Sequence, residues 1–117
     1  MTDKLKELHT IEELNKALSE SGKQPVLFFK HSLTCPISSR ALSEFNSYLE
    51  TADSAVSYNL ITVQTARSVS AEAASRLEIE HESPQAILVR NGRQVWNASH
   101  FAITASSIDE AIRHIRC

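Results

Sequence analysis

Apolar positions along this chain switch between two spacings, and the switches mark its elements. Ile11, Leu14 and Leu18 recur at i, i+3 and i+7 behind a Thr10-x-x-Glu13 pair, which predicts a helix that opens on a capping box and ends near Gly22. A short strand around Leu5 to Leu8 is expected before it. After Pro25 the pattern becomes the continuous run VLFFK, the composition of a strand covered on both faces. Ile37, Ala41, Phe45, Tyr48 and Leu49 return to helical spacing, Val56 to Val63 reads as a second buried strand, and Val69, Ala73 and Leu77 mark a third helix. In PQAILVRNGRQVWNAS, Asn91-Gly92 separates two strand-like runs, the strongest short-range hairpin signal. Thr104 and Ser107 precede or open a last helix with Ile108, Ala111, Ile112 and Ile115 on one face.

The predicted order is β-α-β-α-β-α-β-β-α. Two βαβ crossovers followed by a hairpin and a covering helix imply an α/β fold, a mixed central sheet with helices on both faces. That order matches thioredoxin. With 117 residues, 42% of them apolar, and only two glycines and three prolines to punctuate it, the chain is expected to form a single domain over 1–117.

Charge and composition remove several classes of function. The net charge is −2 and the basic residues are scattered, so the stripe that neutralises a phosphate backbone is missing and nucleic acid is not an expected partner. The charged start MTDKLKELHT holds no apolar signal core, and no run approaches a bilayer span, so no membrane partner is expected and the location expected is cytoplasmic. His9, His31, His81, His100 and His114 are dispersed, without the tight spacing of a zinc site, and no metal is expected. Trp96 is read as packing.

Cys35 and Cys117 are too few and too distant to suggest a disulfide framework. Cys35, however, stands directly before Pro36 at the junction of a buried strand and a helix. Proline at the first helical position has the φ that position needs and gives up only an amide that would be unpaired. Cys35 then takes the N-cap, where free amides and the helix dipole favour a thiolate, and such settings lower a cysteine pKa from about 8.5 into the range of roughly 3.5–7.5. The redox pattern C-x-x-C would place a second thiol at position 38, but the sequence reads CPIS, with Ser38 there. A mixed disulfide on Cys35 therefore has no local resolving thiol and calls for one from outside. Cys117 lies about 18 Å down the last helix and is expected to be a loose terminal thiol.

In a thioredoxin-like topology several further residues reach the same end of the sheet. Pro84 opens the third central strand, where a cis-proline would lie against the Cys35 turn and expose neighbouring backbone to a bound thiol or peptide. His100 is expected to end the following strand on that side, and His31 precedes Cys35 in the chain; either would raise the thiolate fraction as a cation or a proton acceptor. Gln64 and Arg67 reach the rim, Arg67 either pairing with a carboxylate of a thiol cofactor or standing as a solvated helix-start charge.

At FKHSLTCPIS, VQTARSVS, HESPQAIL and SHFAIT the sequence resembles the YtxJ-type bacillithiol-system proteins, the monothiol bacilliredoxins with a TCPIS active site, over nearly its whole length. The resemblance implies a thioredoxin-like fold and removal of bacillithiol from S-bacillithiolated proteins. It makes Cys35 the nucleophile, Pro36 and Ser38 the rest of its motif, and Pro84 the cis-proline, with Thr34 and Ser83 beside them in a thiol or peptide groove. Bacillithiol, or another low-molecular-weight thiol, is the implied co-substrate. S-thiolated client proteins are the implied partners, and a monomer is the favoured state. Two rivals stand beside this reading: a peptide-binding or stress-associated module on the same fold that never turns over, and an arsenate reductase, which needs a different cysteine-arginine arrangement.

Overall fold

In a computed structural model, which describes residues 4–116, the elements run β1 (Leu5–Glu7), α1 (Ile11–Glu20), β2 (Val26–His31), α2 (Pro36–Leu49), β3 (Ser57–Thr62), α3 (Arg67–Leu77), β4 (Gln85–Arg90), β5 (Arg93–Ser99), a 3-10 turn (His100–Ala102) and α4 (Ala105–Arg116). The local signals act as their chemistry requires. The Thr10 side chain accepts from the Glu13 amide while Glu13 reaches back to the Thr10 amide, satisfying two end groups at once. Asn91 and Gly92 both take positive φ, 55° and 75°, as a tight two-residue hairpin between β4 and β5 needs. Thr104 and Ser107 exchange amide-to-hydroxyl bonds of 3.0 Å each and so cap α4. Cys117 lies outside the described residues.

The sheet has the order β1-β3-β2-β4-β5. β1 and β2 run parallel to β3, β4 is antiparallel to β2, and β5 is antiparallel to β4. β2 is therefore an interior strand, and its residues Val26 to Lys30 are fully buried. Its alternation divides the core into two layers. Val26 and Phe28 join Leu14, Leu18, Val69, Ala73 and Leu77 under α1 and α3, whereas Leu27 and Phe29 join Phe45, Tyr48, Leu49, Ile108 and Ile112 under α2 and α4. Burying each such large side chain contributes about 1.5–3 kcal/mol.

Phe29 stacks on Phe45 with ring centroids 4.9 Å apart, fixing α2 against β2. Tyr58 donates to the Asp53 carbonyl at 3.0 Å, so its oxygen is left to accept from Tyr48 at 2.8 Å. These contacts pin the second half of α2 to β2 and to the start of β3, and the helix then runs back so that its N-terminus follows the end of β2. There the Val63 amide donates to the His31 carbonyl at 2.9 Å, keeping β2 and β3 zipped to the point where the chain turns toward Cys35.

Candidate active site

Cys35 occupies the N-cap of α2 with extended backbone angles (φ −108°, ψ 118°), Pro36 follows in the first turn, and no side chain caps the helix. A side-chain oxygen normally bonds the second or third amide of a helix; here the residue in that place carries sulfur. Cys35 is half-buried and free.

The Ser32–Cys35 turn is tied down from two directions. From below, the Ser38 hydroxyl accepts from the Ser32 amide at 2.9 Å and shares a 2.8 Å hydrogen bond with His31 Nδ1. From the side, Gln64 accepts from the Leu33 amide at 3.0 Å and donates to the Ser32 hydroxyl at 2.8 Å and the Thr34 hydroxyl at 3.4 Å. Gln64 thus braces the turn, using both ends of its amide.

Two expectations change here. Helical spacing put Ile37 on the buried face of α2, but Ile37 is half-buried and Ser38 is fully buried beside Ala41 and Phe45, because the hydroxyl has two partners beneath the turn. For His31, burial lowers the pKa and so disfavours the cation, and Nδ1 is engaged with Ser38. The serine that replaces a resolving thiol is therefore also a pin for the turn.

Antiparallel register pairs Lys30 with Gln85, so the residues just before Gln85 stand at the end of β2 from which the Cys35 turn leaves. The Ser83–Pro84 peptide bond is cis, as the topology implied. Pro84 accepts at its carbonyl from the His100 amide at 3.1 Å. The Ser83 hydroxyl is buried and has no hydrogen-bond partner among the described residues. His100 does not end β5: the strand stops at Ser99 and His100 opens the 3-10 turn with φ 54°. That backbone turns its ring to Glu82, 3.5 Å away, so it closes the Pro84 side of the site against a carboxylate. Thr34 is exposed beside the thiol, and Arg67 stands exposed at the first position of α3. Trp96 is half-buried against the α2–α4 core, as packing.

Sequence reasoning passed over three groups. Leu33 and Phe101 are 59% and 65% exposed, an unusual exposure for large apolar side chains, and Arg40 lies over the Phe101 ring at 5.9 Å, within cation–π range. Glu82 was invisible without the turn that brings His100 to it. Lys30, fully buried in β2, did carry a signal: it is the one charge in VLFFK. Among the described residues no cluster of three or more histidine, cysteine or acidic side chains is placed to hold a metal ion, and no described helix is long and apolar enough to cross a membrane.

Comparison with known proteins agrees with this geometry. The family model described as monothiol bacilliredoxin BrxC matches residues 6–108. A solved structure described as having a thioredoxin fold is 36% identical, with 92% of each chain covered and a TM-score of 0.81. Thioredoxin from Fasciola hepatica (14% identity, 93% of this chain and 97% of that one, TM-score 0.74) and a poplar thioredoxin h mutant (20% identity, 97% and 83%, TM-score 0.75) share the fold.

Proposed function

Since the chain belongs to the monothiol bacilliredoxin family, whose members are thiol–disulfide redox proteins with a thioredoxin fold, we propose that it removes bacillithiol from S-bacillithiolated proteins through Cys35. The observation that carries this reading is the Cys35–Ser38 pair: a half-buried thiol at a helix N-cap whose C-x-x-C partner is a buried, doubly hydrogen-bonded serine.

The Cys35 thiolate attacks the bacillithiol sulfur of a protein–S–S–bacillithiol adduct. That sulfur–sulfur bond breaks, the client leaves as a thiolate that takes a proton, and Cys35 holds bacillithiol in a new mixed disulfide. Ser38 has no sulfur with which to displace it. A second bacillithiol thiolate attacks the carried bacillithiol sulfur, forming bacillithiol disulfide and returning Cys35 as thiolate. Gln64 and Ser38 fix the turn, so the sulfur is presented without a cost in ordering at each encounter. Pro84 supplies one wall for the bound disulfide, with Ser83 beside it. Leu33 and Phe101 offer apolar contact to the client. Arg67 remains available to a carboxylate of the small thiol, and the protein is expected to work in the cytoplasm as a monomer.

The test is release of free client thiol from a purified S-bacillithiolated protein in excess bacillithiol, run beside the same client carrying glutathione. Release that requires Cys35 and favours the bacillithiol adduct supports the reading. Equal release by Cys35→Ala contradicts it, and a preference for glutathione reassigns the co-substrate.

A further inference from the structure

Beneath the Pro84 wall lies a buried polar cluster that the exchange chemistry does not use. Lys30 and Gln85 are direct cross-strand partners and therefore neighbours on one face of the sheet, the face covered by α1 and α3. Both are buried, at 0% and 2% exposure. Both reach the same loop. Gln85 Nε2 donates to the Glu80 carbonyl at 3.1 Å and its Oε1 accepts from the Glu82 amide at 3.4 Å. Lys30 Nζ donates to His81 Nδ1 at 3.1 Å and to the Ser70 carbonyl of α3 at 3.0 Å.

We propose that Lys30 and Gln85 are positioning residues, a clasp that holds the loop Glu80–Ser83 and through it sets the Ser83–Pro84 wall at the end of β2. Stability does not explain the lysine. No carboxylate lies within ion-pair distance of it among the described residues, and an apolar side chain would pack the centre of a sheet better than an unpaired ammonium. What the lysine does supply is a bond to each of two segments that the strand's backbone cannot reach. Between Ile79, which packs on the core, and Ser83, these two side chains tie the loop to the sheet, beside the longer Ser70–His81 contact at 3.4 Å and the Glu82–His100 pair at 3.5 Å at its outer side. Loosening them frees the wall while leaving the thiol, its turn and α2 untouched. The inference rests on the reading that the wall receives the mixed disulfide, and its test separates the two.

Lys30→Met is made in the full chain and measured in three ways: amide hydrogen exchange at Glu82, KM and kcat for the S-bacillithiolated client, and the rate of Cys35 alkylation by iodoacetamide. The clasp predicts roughly tenfold faster exchange at Glu82 and a KM raised by about tenfold, with kcat and alkylation changed less than about twofold. His81→Phe, at an exposed position, removes the loop acceptor of Lys30 together with its longer contact to the Ser70 hydroxyl, and it gives the same result if Lys30→Met does not fold. Unchanged exchange at Glu82 in a folded variant overturns the clasp, whatever the activity; a wild type that releases no client overturns the functional reading and leaves the exchange result standing.

Discussion

Replacing Lys30 by methionine should make the protein more stable at neutral pH. Burial lowers the Lys30 pKa from the usual 10.5 to about 8. The folded chain therefore binds fewer protons than the unfolded chain between those values, so stability rises with pH across that window and is reduced in full below pH 8. The gap corresponds to about 3 kcal/mol at pH 7, of which about 2 kcal/mol is recovered by pH 9.5. Against this, the variant loses two hydrogen bonds, each worth about 1 kcal/mol or less where the acceptor finds another partner. Ser70 lies inside α3 and His81 is exposed, so both acceptors have other donors. The net expectation is a gain of about 1–2 kcal/mol at pH 7. Urea unfolding of both proteins at pH 7, 8, 9 and 9.5 reads it directly: wild-type stability should climb toward the variant's, while the variant stays nearly level. A variant less stable than wild type at pH 7, with both rising in parallel, would refute a buried unpaired ammonium.

Two further predictions concern the turn beneath Cys35. Ser38→Ala removes the acceptor of the Ser32 amide and the partner of His31 Nδ1, leaving buried polar groups that cost about 1–3 kcal/mol each; chemical denaturation should show a loss of about 2 kcal/mol or more, and a loss under 0.5 would contradict the pin. Burial lowers the His31 pKa below its usual 6.5. The folded chain then binds fewer protons than the unfolded one below pH 6.5, so this contribution is whole above that pH and is lost as pH falls toward the lowered value. An NMR titration of the His31 ring should give a midpoint below 6.5, and a midpoint at or above it would contradict the buried, neutral ring.

Most of the fold was legible because its signals are local. The Thr10–Glu13 box, the Cys35-Pro36 junction and Asn91-Gly92 each act within four residues, and the structure places every one where the spacing did. What escaped depends on distant partners. Ser38 reads only as the serine in place of a second thiol until β2 ends beneath it and supplies His31 and the Ser32 amide. His100 reads as the end of a strand, but the left-handed backbone that turns it toward Glu82 leaves no mark on a pattern of alternation. Lys30 meets partners 40 and 51 residues away, so a charge in a buried strand was visible but its purpose was not. Pro84 lies between these cases: its place was readable only through the topology, which sets the start of β4 beside the end of β2.

The central claim is that Cys35 alone carries the small thiol. Reduced protein mixed with a stoichiometric amount of S-bacillithiolated client, quenched by acid and weighed by intact-mass spectrometry, should gain one bacillithiol, mapped by peptide digestion to Cys35, as the client loses one. The adduct should persist until free bacillithiol is added. An adduct on Cys117, or transfer that continues in Cys35→Ala, would contradict the account.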